Sequence, residues 1–272
     1  MHLTRWVALA ATAATLFAAE KGRKEIPLVH AGGVVNGASF VPAPDNFVAP
    51  NSIVSIFGAD LALRTEAVTS ETLEAGRLPL SLGGVSVHVG GQRAPLYFVS
   101  PTQINAQLPA NLVGRPQPWA LRVVREGLLD MAETEVLVRE SAPGLFPVVA
   151  HVDFSVVGRG EPEGSWPAAP GEIVILFGTG FGPSQPPVEE GQLPPFAASA
   201  LLPHRVFLAG QELAREQVLY FGQAPLFAGL QQVNIVLPSG LASGDYEVQV
   251  EVAGAMSQTG VRIAVEESLE EK

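Results

Sequence analysis

The chain repeats itself. Pro50–Gly58 reads Pro-Asn-Ser-Ile-Val-Ser-Ile-Phe-Gly and returns as Pro170–Gly178, Pro-Gly-Glu-Ile-Val-Ile-Leu-Phe-Gly. A second echo follows each copy: Gln103-Ile104-Asn105-Ala106-Gln107-Leu108-Pro109, then Gln232-Val233-Asn234-Ile235-Val236-Leu237-Pro238. A tandem duplication requires two similar units, each with its own complete set of elements. Ile53–Phe57 and Ile173–Phe177 are continuous apolar runs ended by glycine, the pattern of strands buried on both faces. Val85–Val89 alternates with period two and meets Gly90-Gly91, a hairpin turn, with Leu96–Val99 expected as its partner strand. Ala120–Val124, Glu133–Val138, Arg205–Leu208, Gln217–Phe221, Tyr246–Val252 and Gly260–Val265 read as further short strands. Leu96-Tyr97-Phe98 and Leu219-Tyr220-Phe221 form a third matched pair.

Each half therefore offers about six or seven strands and almost no helical periodicity. Strands close in sequence pair antiparallel. The expected fold is all-β: two tandem immunoglobulin-like antiparallel β-sandwiches, without the Cys…Trp…Cys core of antibody domains. A single large barrel is the alternative, disfavoured because each copy carries a full strand set. The expected division is a signal peptide at 1–19, a linker at 20–33, sandwiches at 34–140 and 141–267, and an acidic tail at 268–272. Ser141–Phe146 is the expected hinge, since its Ala142-Pro143-Gly144 cannot continue a central strand.

The N-terminus has the form of an export signal. Arg5 precedes the apolar run Trp6–Ala19, and Ala18-Ala19 offers small residues for cleavage. That run is shorter than the ~20 residues that cross a bilayer, so export rather than a membrane span is expected. Location would then be extracellular, cell-surface or periplasmic. With no cysteine, disulfides, thiolate nucleophiles and Cys-ligated metals are excluded. A net charge of −11 repels phosphate backbones, so nucleic acid is not an expected partner.

Several motifs in fixed order carry a family resemblance. They are Val35-Asn36-Gly37-Ala38-Ser39-Phe40, Ala49-Pro50 with Ile53–Gly58, Leu82-Gly83-Gly84-Val85, Ala94-Pro95-Leu96-Tyr97, Ser100-Pro101-Thr102-Gln103-Ile104-Asn105, Ala142-Pro143-Gly144-Leu145-Phe146, Gly178-Thr179-Gly180-Phe181-Gly182-Pro183 and Gln232-Val233-Asn234. Together they resemble the Solibacter-type C-terminal domain family of exported acidobacterial proteins, related to the IPT/TIG class of Ig-like folds. The resemblance spans roughly 34–265. It implies an exported Ig-like module and supplies no catalytic residues.

Chemistry-bearing patterns are few. Gly178-Thr179-Gly180-Phe181-Gly182 follows a strand, but Pro183, Pro186 and Pro187 oppose the helix that a phosphate loop needs. No cofactor is expected. Gly84-Val85-Ser86-Val87-His88 lacks the final glycine and the following helix of a nucleophile elbow. His30, His88, His151 and His204 stand singly, without zinc-ligand spacing. Asp60, Glu66, Asp153 and Glu172 are carboxylates that nothing in the sequence pairs. The duplicated amides Gln103, Asn105, Gln232 and Asn234 each share one strand face two residues apart. They can bind sugar hydroxyls or a peptide edge, or satisfy buried polar groups. Trp119 and Trp166 sit beside prolines and are candidates for stacking on a sugar or partner. The expected function is a non-enzymatic module for binding or surface assembly, with extracellular polysaccharide or an envelope protein as partner. The alternatives are a carbohydrate-active hydrolase with a site at the domain junction and a structural spacer.

Overall fold

A computed structural model describes residues 26–73, 76–112, 118–128 and 131–267. The expected signal peptide, residues 20–25 of the expected linker and the 268–272 tail lie outside these residues. The first unit contains β1 (Leu28–Asn36), β2 (Ile53–Ala59), β3 (Glu66–Ala67), β4 (Val85–Val89), β5 (Gln92–Ala94), β6 (Leu96–Val99), β7 (Gln103–Gln107), β8 (Trp119–Arg125) and β9 (Ala132–Val136). The second contains β10 (Gly144–His151), β11 (Ile173–Thr179), β12 (Ser184–Gln185), β13 (Ala198–Ala200), β14 (His204–Leu208), β15 (Gln211–Glu212), β16 (Val218–Gln223), β17 (Gln231–Val236), β18 (Gly244–Val252), β19 (Ala255–Met256) and β20 (Arg262–Val265).

The sheets run β1-β2-β7-β6-β3 and β5-β4-β8-β9 in the first unit. The second has β10-β11-β17-β16-β13-β12, and β15-β14-β18 continued by β19 and β20. Every ladder is antiparallel. Each unit is an immunoglobulin-like sandwich, with a first–second–fifth–fourth strand sheet packed on a third–sixth–seventh strand sheet. Period-two burial places Val54, Ile56, Val85, Val87, Val89, Leu121 and Val123 in one core. Val174, Leu176, Val206, Leu208, Val233, Ile235, Val248 and Val250 occupy the other. In the second unit Ile175 and Phe177 pack on the opposite face of β11 with Ala150, so that strand is buried on both sides.

Three expectations are corrected. The stretch expected to be linker already contains β1, whose Leu28 and Val29 pair with Ala59 and Gly58. The hairpin partner of β4 is β5, not Leu96–Val99. Pro95 lacks an N–H, so the chain leaves one sheet there and β6 joins the other beside β7. The third motif pair is offset by one residue. Both fourth strands carry a bulge, and the extra residue is Tyr97 in one copy and Leu219 in the other. Tyr220 therefore occupies the place of Phe98, not of Tyr97.

The junction is polar and closely fitted. Loop 186–194 of the second unit pairs with 76–78 of the first: Leu78 N donates to Gly191 O at 2.8 Å and Leu193 N to Gly76 O at 2.9 Å. Arg77 pairs with Glu189. Gln107, fully buried, accepts from Gly191 N at 2.6 Å and donates to Asn51 Oδ1 at 3.0 Å. Tyr97 donates its hydroxyl to Ala228 O at 2.5 Å. Asn36 Nδ2 donates to Ala142 O at 2.8 Å, and Ile53 N to Thr179 Oγ1 at 2.9 Å. The Gly178–Gly182 segment explains itself here. Gly180, at φ +85°, brings its backbone so close to Ala142 that a Cβ would overlap the Ala142 carbonyl oxygen.

Candidate functional site

The residues singled out from sequence separate into buried and exposed groups. Trp119 begins β8 and is only 7% exposed. It belongs to the first core, and its ring fills the space above Gly90, where a Cβ would come within 2.6 Å of Cε3. The expectation that it stacks on a ligand is corrected: proline delivered it to a strand, and the strand turned it inward. Gln103 and Asn105 are 6% and 7% exposed. Gln103 Nε2 donates to Asn105 Oδ1 at 2.8 Å, and Ser55 Oγ donates to the same oxygen at 3.0 Å. Gln232 Nε2 repeats the bond to Asn234 Oδ1 at 2.7 Å, at a half-buried site. The duplicated amides thus satisfy one another, as buried amides must. In the first copy this removes them from ligand contact.

Trp166 is different. It is 47% exposed, and one face of its ring stacks on His151, with centroids 4.6 Å apart and planes 20° apart. His151 ends β10 and is 4% exposed. Its Nε2 lies 3.1 Å from Trp166 O, and its Nδ1 lies 2.5 Å from Glu172 Oε1. The other carboxylate oxygen of Glu172 accepts from Ala169 N at 2.8 Å. The indole therefore rests on a ring with an acceptor beside each nitrogen, and the carboxylate at Nδ1 also closes the Ala169–Glu172 turn. Segment 166–168 is bracketed by Val157 on one side and Val265 on the other. The tip of the preceding turn presents Val152 and Phe154, both exposed. Asp153 caps that turn by accepting from Ser155 N and Oγ, which holds its carboxyl below the usual range.

Sequence reasoning found Trp166 and missed His151 and Glu172 as its support. The signal was present in the duplication. Register equates Val54 with Val174, since each pairs with the last residue of the preceding strand: Asn36 in one copy, His151 in the other. Two residues before them stand Ser52 and Glu172. Ser52 closes its turn onto Ala49 O at 2.6 Å and ends there. Glu172 is longer, closes the matching turn and reaches the histidine as well.

Of the other carboxylates weighed from sequence, Glu66 pairs with Arg64. At Asp60 it is the backbone carbonyl, not the carboxylate, that accepts from Arg125 Nη1, at 2.7 Å. At the junction a shallow hollow of about 260 Å³ is lined by Arg139, Glu140, Ser141, Ala253, Gly254 and Ala255. The Ser141 hydroxyl donates to Val252 O at 2.9 Å, and the Arg139 guanidinium lies 3.2 Å from the centre of the Phe47 ring. Another hollow, of about 290 Å³, lies on the first unit, between Leu63, Arg64, Gly83, Gly84, Arg125 and Glu126. Among the described residues no cluster of three His, Asp or Glu could hold a metal ion, and no helix is long and apolar enough to cross a membrane.

No family model matches the chain, and no curated protein matches it in sequence. Solved structures with some similarity include an auxiliary nutrient binding protein from Bacteroides ovatus, at 13% identity and TM-score 0.26, covering 47% of this chain and 24% of that one. The Bacteroides ovatus mixed-linkage glucan utilization locus SGBP-B, solved with a mixed-linkage heptasaccharide, is 12% identical at TM-score 0.32, covering 85% and 46%. An I-band fragment of titin, I67-I69, is 8% identical at TM-score 0.23, covering 80% and 62%. The chain spans about a quarter and about half the length of the first two. Scores this low carry no information on ligand or activity.

Proposed function

We propose that this chain is a non-enzymatic binding module that works outside the cytoplasm and holds a polysaccharide. The observation that carries the reading is Trp166, nearly half exposed and stacked on a buried His151 that has an acceptor beside each nitrogen. A free indole loses freedom when it binds; one already held flat has given up that freedom on folding, which favours affinity. Its exposed surface is flat and apolar, suited to the C–H face of a pyranose ring. The export-like N-terminus and the resemblance to exported Ig-like modules support a location beyond the membrane.

The test is affinity electrophoresis of the chain in gels containing a neutral β-glucan, with indole fluorescence as a second readout. Retardation by at least one such polymer is expected, together with a change in fluorescence that Trp166→Ala removes while the thermal midpoint stays within a degree or two, since substitutions at exposed positions cost little. Unretarded migration across a panel of neutral glucans, mannans and xylans would sink the reading.

A further inference from the structure

The outward face of the β5-β4-β8-β9 sheet carries a row of charge that its fold does not require. Register places Arg93 opposite His88, His88 opposite Arg122, and Arg122 opposite Glu133. Residues directly opposite in an antiparallel pair hold their Cβ atoms about 4.5–5.5 Å apart, and like charges there are destabilising. The one acid in the row is engaged: Glu133 accepts from Arg122 Nε at 2.6 Å. Arg93 is exposed and has no ion pair among the described residues. His88 Nε2 lies 3.2 Å from Ser86 Oγ. Burial, then Arg93 and Arg122, hold the His88 pKa below its ordinary value. The row itself holds two arginines to one glutamate; Glu135, exposed on the same face of β9, stands opposite Ala120 and so outside the row, which leaves Arg93 with no acid opposite it.

The second copy serves as an internal control. Gly90-Gly91 and Ala209-Gly210 are matching turns with both residues at positive φ, so the two hairpins align residue for residue. At the places of Arg93, His88 and Arg122 stand Glu212, Phe207 and Gln249. The same scaffold folds there with no basic row. Folding therefore does not explain the row, and a ligand can. The net charge of −11 repels densely charged polyanions. Carboxylates spaced along a sugar polymer feel that repulsion less. The strip is flat, and its two arginines lie two strand spacings apart, about 10 Å, which suits an extended polymer more than a small anion.

We propose that Arg93 and Arg122, with His88 between them, form a strip that binds the carboxylates of a uronic-acid polysaccharide. The polymer class rests on the reading of Trp166, while the charge preference rests on this row alone. Guanidinium groups suit such a ligand because they meet carboxylates with two parallel hydrogen bonds.

The experiment compares polygalacturonate with its fully methyl-esterified form, using the whole chain at low ionic strength. The variant His88→Phe/Arg93→Glu/Arg122→Gln installs the residues of the second copy, which that scaffold already accommodates. Unaltered protein is expected to bind the free acid more tightly than the ester. The triple variant should lose about tenfold in affinity for the acid per arginine removed, the equivalent of one charge-assisted contact, with circular dichroism and thermal midpoint retained. The His88 NMR titration should move upward when polygalacturonate is present. Equal affinity for acid and ester overturns the proposal, as does a folded triple variant with undiminished binding, or preference for dextran sulfate over polygalacturonate. Trp166→Ala separates the two readings. If it spares the binding of both polymers while the triple variant loses the acid, the Trp166 reading fails and the strip stands. If it abolishes binding of neutral glucan while acid and ester bind alike, the reverse holds.

Discussion

The two sandwiches share a backbone and spend it differently. At the end of the first strand of each, a buried polar side chain faces the same valine partner: Asn36 opposite Val54, His151 opposite Val174. Asn36 closes its own turn by accepting from Ala38 N at 2.8 Å and reaches across to Ala142. His151 turns to Trp166 and Glu172. The same contrast runs along the fifth strand. Ile53 pairs with Gln107, and Ile173 with Val236. Gln107 receives the loop of the second unit, while Val236 is half-buried and joins no such contact. The first copy uses its variable positions to hold its neighbour. The second uses them to hold an aromatic ring open to solvent. Duplication thus preserved the core and freed the polar positions to diverge.

The sharpest way to break this comparison is a reciprocal exchange after the second strand. Asp60 and Gly180 occupy the same place, both at positive φ. Asp tolerates that conformation and has room for its side chain. Gly180 lies against Ala142 O. Gly180→Asp is expected to destabilise the protein by about 3 kcal/mol or more, from backbone strain and displaced junction contacts. Asp60→Gly should change stability by less than about 1 kcal/mol. Urea unfolding measures both, and equal costs would refute the claim that only the second site is a close approach.

Next in size is Gln107→Val, which leaves the Gly191 N–H without its acceptor in a buried place. A loss of about 2 kcal/mol is expected, and the reverse exchange Val236→Gln should cost under about 0.5 kcal/mol. Differential scanning calorimetry is expected to show one transition in the parent, broadening or dividing in Gln107→Val alone. An unchanged, single sharp transition would mean that this glutamine does not couple the units.

The duplicated amides give a smaller contrast. Asn105→Ala strands both Gln103 Nε2 and Ser55 Oγ and is expected to cost about 1–2 kcal/mol. Asn234→Ala, half-exposed, should cost about 0.5 kcal/mol or less. Matching losses in chemical denaturation would show that burial does not distinguish the copies.

The smallest effect concerns pH and the row that only the first copy possesses. The His88 pKa is lowered from an ordinary 6.5 by burial and by Arg93 and Arg122. The unfolded chain then binds the proton more readily than the folded one. Stability is therefore full above pH 6.5 and falls as pH drops below it. Arg122→Gln should raise the His88 titration midpoint in an NMR series and lessen that loss. A midpoint that stays put would assign the shift to burial alone.

Much of the fold was legible because its signals are local. Alternation in Val85–Val89, glycine after Phe57 and Phe177, and the repeated Pro-x-x-Ile-Val motif each depend on a few adjacent residues. The misreadings came where two constraints met. Pro95 broke a run that hydrophobicity alone joined to the hairpin. A bulge shifted Tyr97 by one place against its apparent counterpart, because identical letters were aligned where the ladders align Phe98 with Tyr220. Of the candidate site, Trp166 stood out by residue type alone. Its support did not, since His151 and Glu172 meet only when β10 and β11 pair.

By itself the sequence determined that two β-rich units would each close around their own apolar faces, since period-two burial and turn residues act within a few positions of the chain. The tertiary structure alone decided which polar groups are spent inside and which are offered outside. Exposure depends on what packs opposite a strand, so Trp119 went into a core and Trp166 stayed open although each has a proline beside it in the sequence.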